Sequence, residues 1–298
     1  MSRPFRADAI PNATQGVALG WLVSAFQAGL ICCSHYRLAF ATFLTPLMKT
    51  FLTLLEREIK SFFYSPIAYV VLFYFLLLTG FNFFSGASFL NRGPTEVTVV
   101  EAFFNTVLFW FPFVLIFPLI TMRTYSEEFR MGTFETLTTA PVSDWQVVLS
   151  KFFGVLAFYI ILWAPSFSYF AVFQLITKQQ AANAAGAYYG SYLLLLLIGM
   201  FYISIGCLAS ALTKDQINAA VISFSAITLC FFAGLMSFIM NVTEPSAKNV
   251  NSYISAVEHM GDFSKGMIDS RPIVWYLSMT ALMLALNFQV FQYRKWKS

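Results

Sequence analysis

Arg123-Thr-Tyr-Ser-Glu127-Glu128-Phe-Arg130-Met-Gly132-Thr133-Phe-Glu135-Thr-Leu137-Thr-Thr-Ala-Pro141-Val-Ser143 is a charged island between two long apolar runs. It is too polar for hydrocarbon, where a Lys, Arg or Asp at a helix centre costs roughly 2.5–3.5 kcal/mol. The flanking runs, 100–121 and 147–175, are long enough to cross a bilayer, which takes about 20 residues of helix. The island therefore lies in water with a spanning helix at each end, and that decides the fold class. Thr124 with Glu127, and Ser143 with Gln146, have the spacing of capping boxes. The first predicts a short helix after the second span. The second predicts a start for the third span after the break at Ala140-Pro141. Between them Phe129, Thr133, Phe134 and Leu137 are expected to form one face, with Glu127, Glu128, Arg130 and Glu135 solvated. Gly132 is expected inside this helix at a cost of roughly 1 kcal/mol relative to Ala, a cost that a close backbone approach would explain.

Composition agrees with that reading. The chain is 58% hydrophobic and 11% charged, against roughly 25% charged in soluble domains. Its apolar runs do not alternate with polar residues as barrel strands do, so an all-α integral membrane protein is expected rather than a β-barrel. Six spans are predicted at 66–87, 100–121, 147–175, 188–212, 216–240 and 273–292, with Pro112, Pro118 and Pro165 able to kink them. With both ends of the six-helix block inside, the inner side carries Lys49, Arg57, Lys60, Arg123, Arg130, Lys151, Lys214, Arg294, Lys295 and Lys297. The outer side carries Arg92, Lys178, Lys248, Lys265 and Arg271. Ten against five puts both ends in the cytoplasm of a multi-pass protein.

Ahead of the first span, Phe51, Leu54, Leu55, Ile59, Phe62 and Phe63 trace one face of a helix over 50–63. Glu56, Arg57, Lys60 and Ser61 lie on the other, the pattern of an interfacial helix. Ser65-Pro66 ends it. An apolar stretch, Val17–Cys33, precedes it, but if that spanned it would push Lys49, Arg57 and Lys60 outside. Residues 1–47 are therefore expected to be an N-terminal extension with weak or no fixed structure, and 48–298 the membrane domain. The outer loop 241–271, with Tyr253, Val257, Met260, Phe263, Met267 and Ile268, predicts a short helix on or in the outer leaflet. Cys32, Cys33, Cys207 and Cys230 imply no disulfide framework. The net charge of +4 gives no reason to expect nucleic acid.

The residues favour no enzyme. G-x-x-x-x-G-K-[ST] is absent, so any ATP must be bound by a partner. The only histidines are His35 and His259, so H-E-x-x-H cannot occur, and Gly86-Ala-Ser88-Phe89 is followed by Leu90 rather than Gly. Glu258, His259 and Asp262 give a weak metal or acid–base reading; no cofactor or metal is expected. Asn105, Gln174, Asn218 and Ser223, with Ser225, Thr228 and Asn287, either line a path or join helices by hydrogen bonds. No span carries a clearly central charge, which argues against ion-coupled transport. The 35 Phe and 14 Tyr read best as lipid-facing and belt residues.

The block Glu127 to Leu137, followed by Pro141-Val142-Ser143 and Lys151, resembles the signature between spans two and three of ABC-2 type transporter permeases. Glu56-Arg57-Glu58-Ile59-Lys60-Ser61-Phe62-Phe63-Tyr64-Ser65-Pro66-Ile67-Ala68-Tyr69 is similar to the opening of the gliding-motility-type bacterial branch. Ser210 to Gln216 and Phe263 to Asp269 resemble its inner turn and its outer segment. The resemblance covers about 56–298. It implies a permease subunit of a bacterial cytoplasmic-membrane exporter, paired with a second permease (a copy or a relative) and with a cytoplasmic ABC ATPase subunit. It also implies that Glu127, Glu128, Arg130, Gly132, Thr133, Glu135 and Leu137 form a coupling helix against that ATPase, braced by the interfacial helix. The alternative is a non-transporting membrane anchor or assembly factor for a cell-surface complex.

Overall fold

The computed structural model describes residues 48–91, 97–134, 137, 142–176, 185–240 and 253–297. The expected extension 1–47 lies outside these, as do Arg92, Glu135, Pro141, Lys178, Lys248 and the side chain of Gln174. Contacts divide the chain into Met1–Phe51 and Leu52–Ser298, and the second unit is the subject below. Its described residues are helical with no strand.

Helix α1 covers 48–64; Leu54, Leu55, Ile59, Phe62 and Phe63 of the predicted apolar stripe are half-buried, while Glu56, Arg57, Lys60 and Ser61 are exposed. Ser65 is extended (φ −91°, ψ 126°) ahead of Pro66, which occupies the first turn of α2, Pro66–Leu90. Proline at this place loses no hydrogen bond, and its fixed φ suits a helix start. Span two is broken: α3, Val99–Phe104, ends at Asn105, and α4, Val107–Thr121, restarts after an extended Thr106. Pro112 and Pro118 remain inside α4. A six-residue helix, α5 (Ser126–Met131), follows.

Span three is also in two pieces, α6 (Asp144–Trp163) and α7 (Ser166–Ile176), separated at Pro165. The carbonyls near the break are satisfied locally: Ser166 Oγ donates to Trp163 O at 2.7 Å and Ser168 Oγ to Pro165 O at 2.6 Å. Spans four and five are α8 (Ala185–Leu212) and α9 (Gln216–Met240). A short helix, α10 (Ala256–Ser264), precedes span six, α11 (Ser270–Lys297). Among the described residues, six helices are long and apolar enough to cross a membrane.

Helix α8 is the centre of the bundle, touching α3, α4, α6, α9, α10 and α11. It approaches α4 closely because Gly206 carries no Cβ, which would overlap Thr121. Small residues at such crossings let dispersion contacts replace the missing hydrophobic drive in lipid. The aromatic residues divide between surface and interior. Phe73, Phe84 and Phe111 face outward. Phe103, Phe104, Phe109, Phe113 and Phe117 instead join Trp163, Tyr159 and Tyr202 in a continuous buried stack, with Phe113 and Phe117 centroids 5.0 Å apart. Reading the aromatics mainly as lipid-facing missed this core. The short helix α10 does more than rest on a leaflet, since Met260 and Phe263 are fully buried against the bundle.

Candidate functional site

The α5 end of the bundle gathers most of the ion pairs. Lys151, two turns into α6, is 1% exposed. Its Nζ donates to Thr124 O at 2.8 Å and pairs with Glu128 at 2.9 Å and Glu58 at 3.3 Å. Glu128 also accepts from Arg57 Nη2 at 3.0 Å. Two cations and two carboxylates thus form a neutral cluster joining α1, α5 and α6. The Tyr125 ring lies 5.2 Å from Lys151 Nζ. A cation this deep costs several kcal/mol to desolvate, so it persists only with partners this close. Beside the cluster, Arg123 forks onto Glu127 at 2.9–3.0 Å and reaches the Ser65 hydroxyl, tying α5 to the hinge before α2.

Three expectations for the island are corrected here. Glu128 is not solvated: only 14% of its side chain is exposed, and it faces into the protein. Gly132 is not inside the helix; it ends α5 at φ +72°, and a Cβ there would meet nothing within 4 Å. The left-handed backbone, and not a close approach, is what selects glycine. The Thr124–Glu127 capping box does not form, because Tyr125 is the N-cap residue and Glu127 is held by Arg123. Its place is taken by Ser210 at the end of α8, whose Oγ accepts from the N–H groups of Tyr125 and Ser126 at 3.0 and 3.2 Å. The Ser143–Gln146 capping box is present, with Ser143 N–H donating to Gln146 Oε1 at 3.1 Å.

Arg130, Met131, Gly132 and Thr133 are all exposed and form the tip of the island. Phe129, Phe134 and Leu137 turn inward, so Thr133 does not share their face. Span six closes the back of this site. Phe291 packs on Phe134 at 5.4 Å, Arg294 lies 4.5 Å over the Phe129 ring, and Lys295 pairs with Asp144 at 2.7 Å. Trp145 stacks on Phe288 at 3.9 Å. Glu56 and Lys60, on the outer face of α1, pair with each other at 2.6 Å, and that hydrogen bond holds the Glu56 carboxyl below its ordinary range. Being exposed, the pair adds little stability.

The polar residues expected in or between spans do not gather at one site, although Asn105 and Thr228 line a common cavity. Asn218 is exposed near the start of α9, on the α5 side, and donates to Asp215 at 3.3 Å. Asn105 is at the far end of span two, donating to Ser264 Oγ of α10 at 3.4 Å. Ser223 is fully buried. His259 Nδ1 is 3.2 Å from the Tyr276 hydroxyl, and no cluster of three metal-ligating side chains occurs among the described residues.

A family model described as ABC-2 family transporter protein matches residues 90–286. The chain belongs to that family. As a member it is a multi-pass membrane component of an ABC transporter, and the match takes in α5, Lys151 and Ser210. Helix α1 with Glu58 and Arg57, and Arg294 with Lys295, lie outside the matched stretch. No curated protein matches the chain.

Proposed function

We infer that the chain is the permease subunit of a bacterial exporter of the gliding-motility-type branch, in the cytoplasmic membrane, with both ends of the six-helix block cytoplasmic. The expected partners are a separate cytoplasmic ABC ATPase subunit and a second permease, identical or related. The supporting observation is the neutral cluster of Arg57, Glu58, Glu128 and Lys151, which binds α5 to α1 and to span three while the Arg130–Thr133 tip stays exposed. A helix held on one side and bare on the other can receive a force and pass it on.

In this mechanism ATP closes the nucleotide subunits, which displace the α5 tip. The pairs from Glu128 to Lys151 carry the displacement to the capped base of α6. The pairs from Lys151 to Glu58 and from Arg57 to Glu128 carry α1 along with it, and span six follows through Lys295 and Asp144. The movement is a shift between two packed arrangements biased by nucleotide. Glu128 thus acts inside the permease, and the direct contact falls to Arg130, Met131, Gly132 and Thr133. Glu135, in the same signature, remains part of the expected contact.

A photo-crosslinking residue at Met131, which is 62% exposed, tests the docking. In native membranes it should trap a soluble subunit that carries a phosphate-binding loop, whereas one at Leu137, 7% exposed, should not. Capture of a protein without such a loop from Met131 would favour the anchor or assembly reading.

A further inference from the structure

Span six meets the α5 end through one face. Asn287, Phe291 and Arg294, spaced four and three residues apart, lie on the same side of α11. Phe291 packs against the Tyr125 and Phe134 rings at 6.4 and 5.4 Å, and Arg294 covers Phe129. Asn287, a turn deeper, is fully buried beside the Tyr125 hydroxyl. Tyr125, the N-cap residue of α5, is fully buried as well.

This contact is unfinished. The amide lies close enough to the hydroxyl to act on it electrostatically, yet the two are not in hydrogen-bonding geometry. Asn287 Nδ2, Asn287 Oδ1 and Tyr125 Oη have no hydrogen-bond partner among the described residues. An asparagine inside a span is normally held by a hydrogen bond to a neighbouring helix. Buried polar groups nearly always pair, so three bare atoms on two facing side chains call for a reason. What holds α5 in place is Ser210 of α8. Its Oγ accepts from the N–H groups of Tyr125 and Ser126 and donates to Met122 O at 3.1 Å. The start of α5 is thus fastened to α8, while the polar groups that could fasten it to α11 stand unused.

We propose that Tyr125 and Asn287 are a positioning pair for the transmission of force. They are apart in this arrangement. They become hydrogen bonded, Tyr125 Oη donating to Asn287 Oδ1, in the arrangement reached when α5 is displaced and Ser210 releases it. Span six then moves with α5 because this bond forms, an interior joint added to the Lys295–Asp144 pair. The pair rests on the permease reading above and names the link between its docking helix and span six. Its test needs neither nucleotide nor a second subunit, so its failure leaves that reading standing.

The test uses the purified full chain in nanodiscs, with Cys32, Cys33 and Cys230 replaced by alanine and Cys207 left buried. A trifluoromethyl tag on Tyr293→Cys, 67% exposed on α11, reports span six by fluorine NMR. Ser210→Ala removes the clamp on α5 and should raise a second resonance of the tag roughly tenfold, the population equivalent of one to two net hydrogen bonds. Adding Tyr125→Phe or Asn287→Leu should return that resonance to its level in the chain with Ser210 intact, and adding Asn287→Gln, which keeps an amide, should preserve part of the response. Stability separates this role from a static one. Asn287→Leu replaces bare polar atoms by an apolar group of similar shape, so alone it should leave the thermal midpoint unchanged or raise it. A midpoint lowered by Asn287→Leu would mean a fixed structural contact and would overturn the proposal. So would a tag that does not respond to Ser210→Ala, or a response that survives both Tyr125→Phe and Asn287→Leu.

Discussion

Lys151 shows how a single residue can be visible in a sequence and still be misread. It stands alone in the run Val147-Val-Leu-Ser-Lys151-Phe-Phe, and charge counting assigns it to the inner side without asking what holds it. Its partner Glu58 gave a signal too, since it lies between Leu54, Leu55, Ile59 and Phe62 on the apolar stripe of α1. A carboxylate on an apolar face and a lysine one or two turns into a span are a pair in search of a contact. Ser210 offered no such signal, because a cap supplied from a distant helix leaves no local spacing to recognise. Lys151→Met should destabilise the fold by about 3–5 kcal/mol, the cost of stranding buried partners. Glu58→Gln and Glu128→Gln added to it should recover most of that loss, read as the thermal midpoint in detergent. The triple variant should still fail to transmit nucleotide binding to the spans, measured as the ATP-dependent change in distance between spin labels on α6 and α9. Restored transmission would make the cluster a structural feature only.

At the scale of elements, amphipathic stripes and proline breaks were legible, while the joints inside spans were only partly so. The stripe of α1 and the start of α2 at Ser65-Pro66 follow from local chemistry. Span two was expected as one helix, but it breaks at Asn105-Thr106, a site without proline or glycine; Thr106 is held by its own hydroxyl on Ala102 O at 2.6 Å and Asn105 by α10. That break depends on tertiary contacts that no window of sequence contains. The base of α6 is the opposite case, a local motif that forms as spaced. Ser143→Ala should therefore cost about 1 kcal/mol, the usual loss at a helix N-cap. A matching drop in thermal midpoint, with Lys295 and Asp144 still paired, checks it; an unchanged midpoint would show that span six alone fixes this end.

Over the whole molecule, the six spans and the polar island between the second and third were readable because hydrocarbon tolerates so few alternatives. What the sequence hid was how the ends meet. The α5 end is a single assembly of α1, α5, the base of α6, the end of α8 and the tail of α11, drawn from residues 57 to 295. The opposite end holds a cavity of about 700 Å³ between α4, α9 and α10. The central claim is that the exposed tip of α5 docks a nucleotide-driven subunit. The most direct measurement is gentle purification from native membranes of the unsubstituted chain, of Met131→Asp and of Lys60→Ala. The account predicts a stoichiometric soluble subunit with a phosphate-binding loop on the unsubstituted chain and on Lys60→Ala, and its loss from Met131→Asp. Retention of that subunit by Met131→Asp, or its absence from all three, would contradict the account.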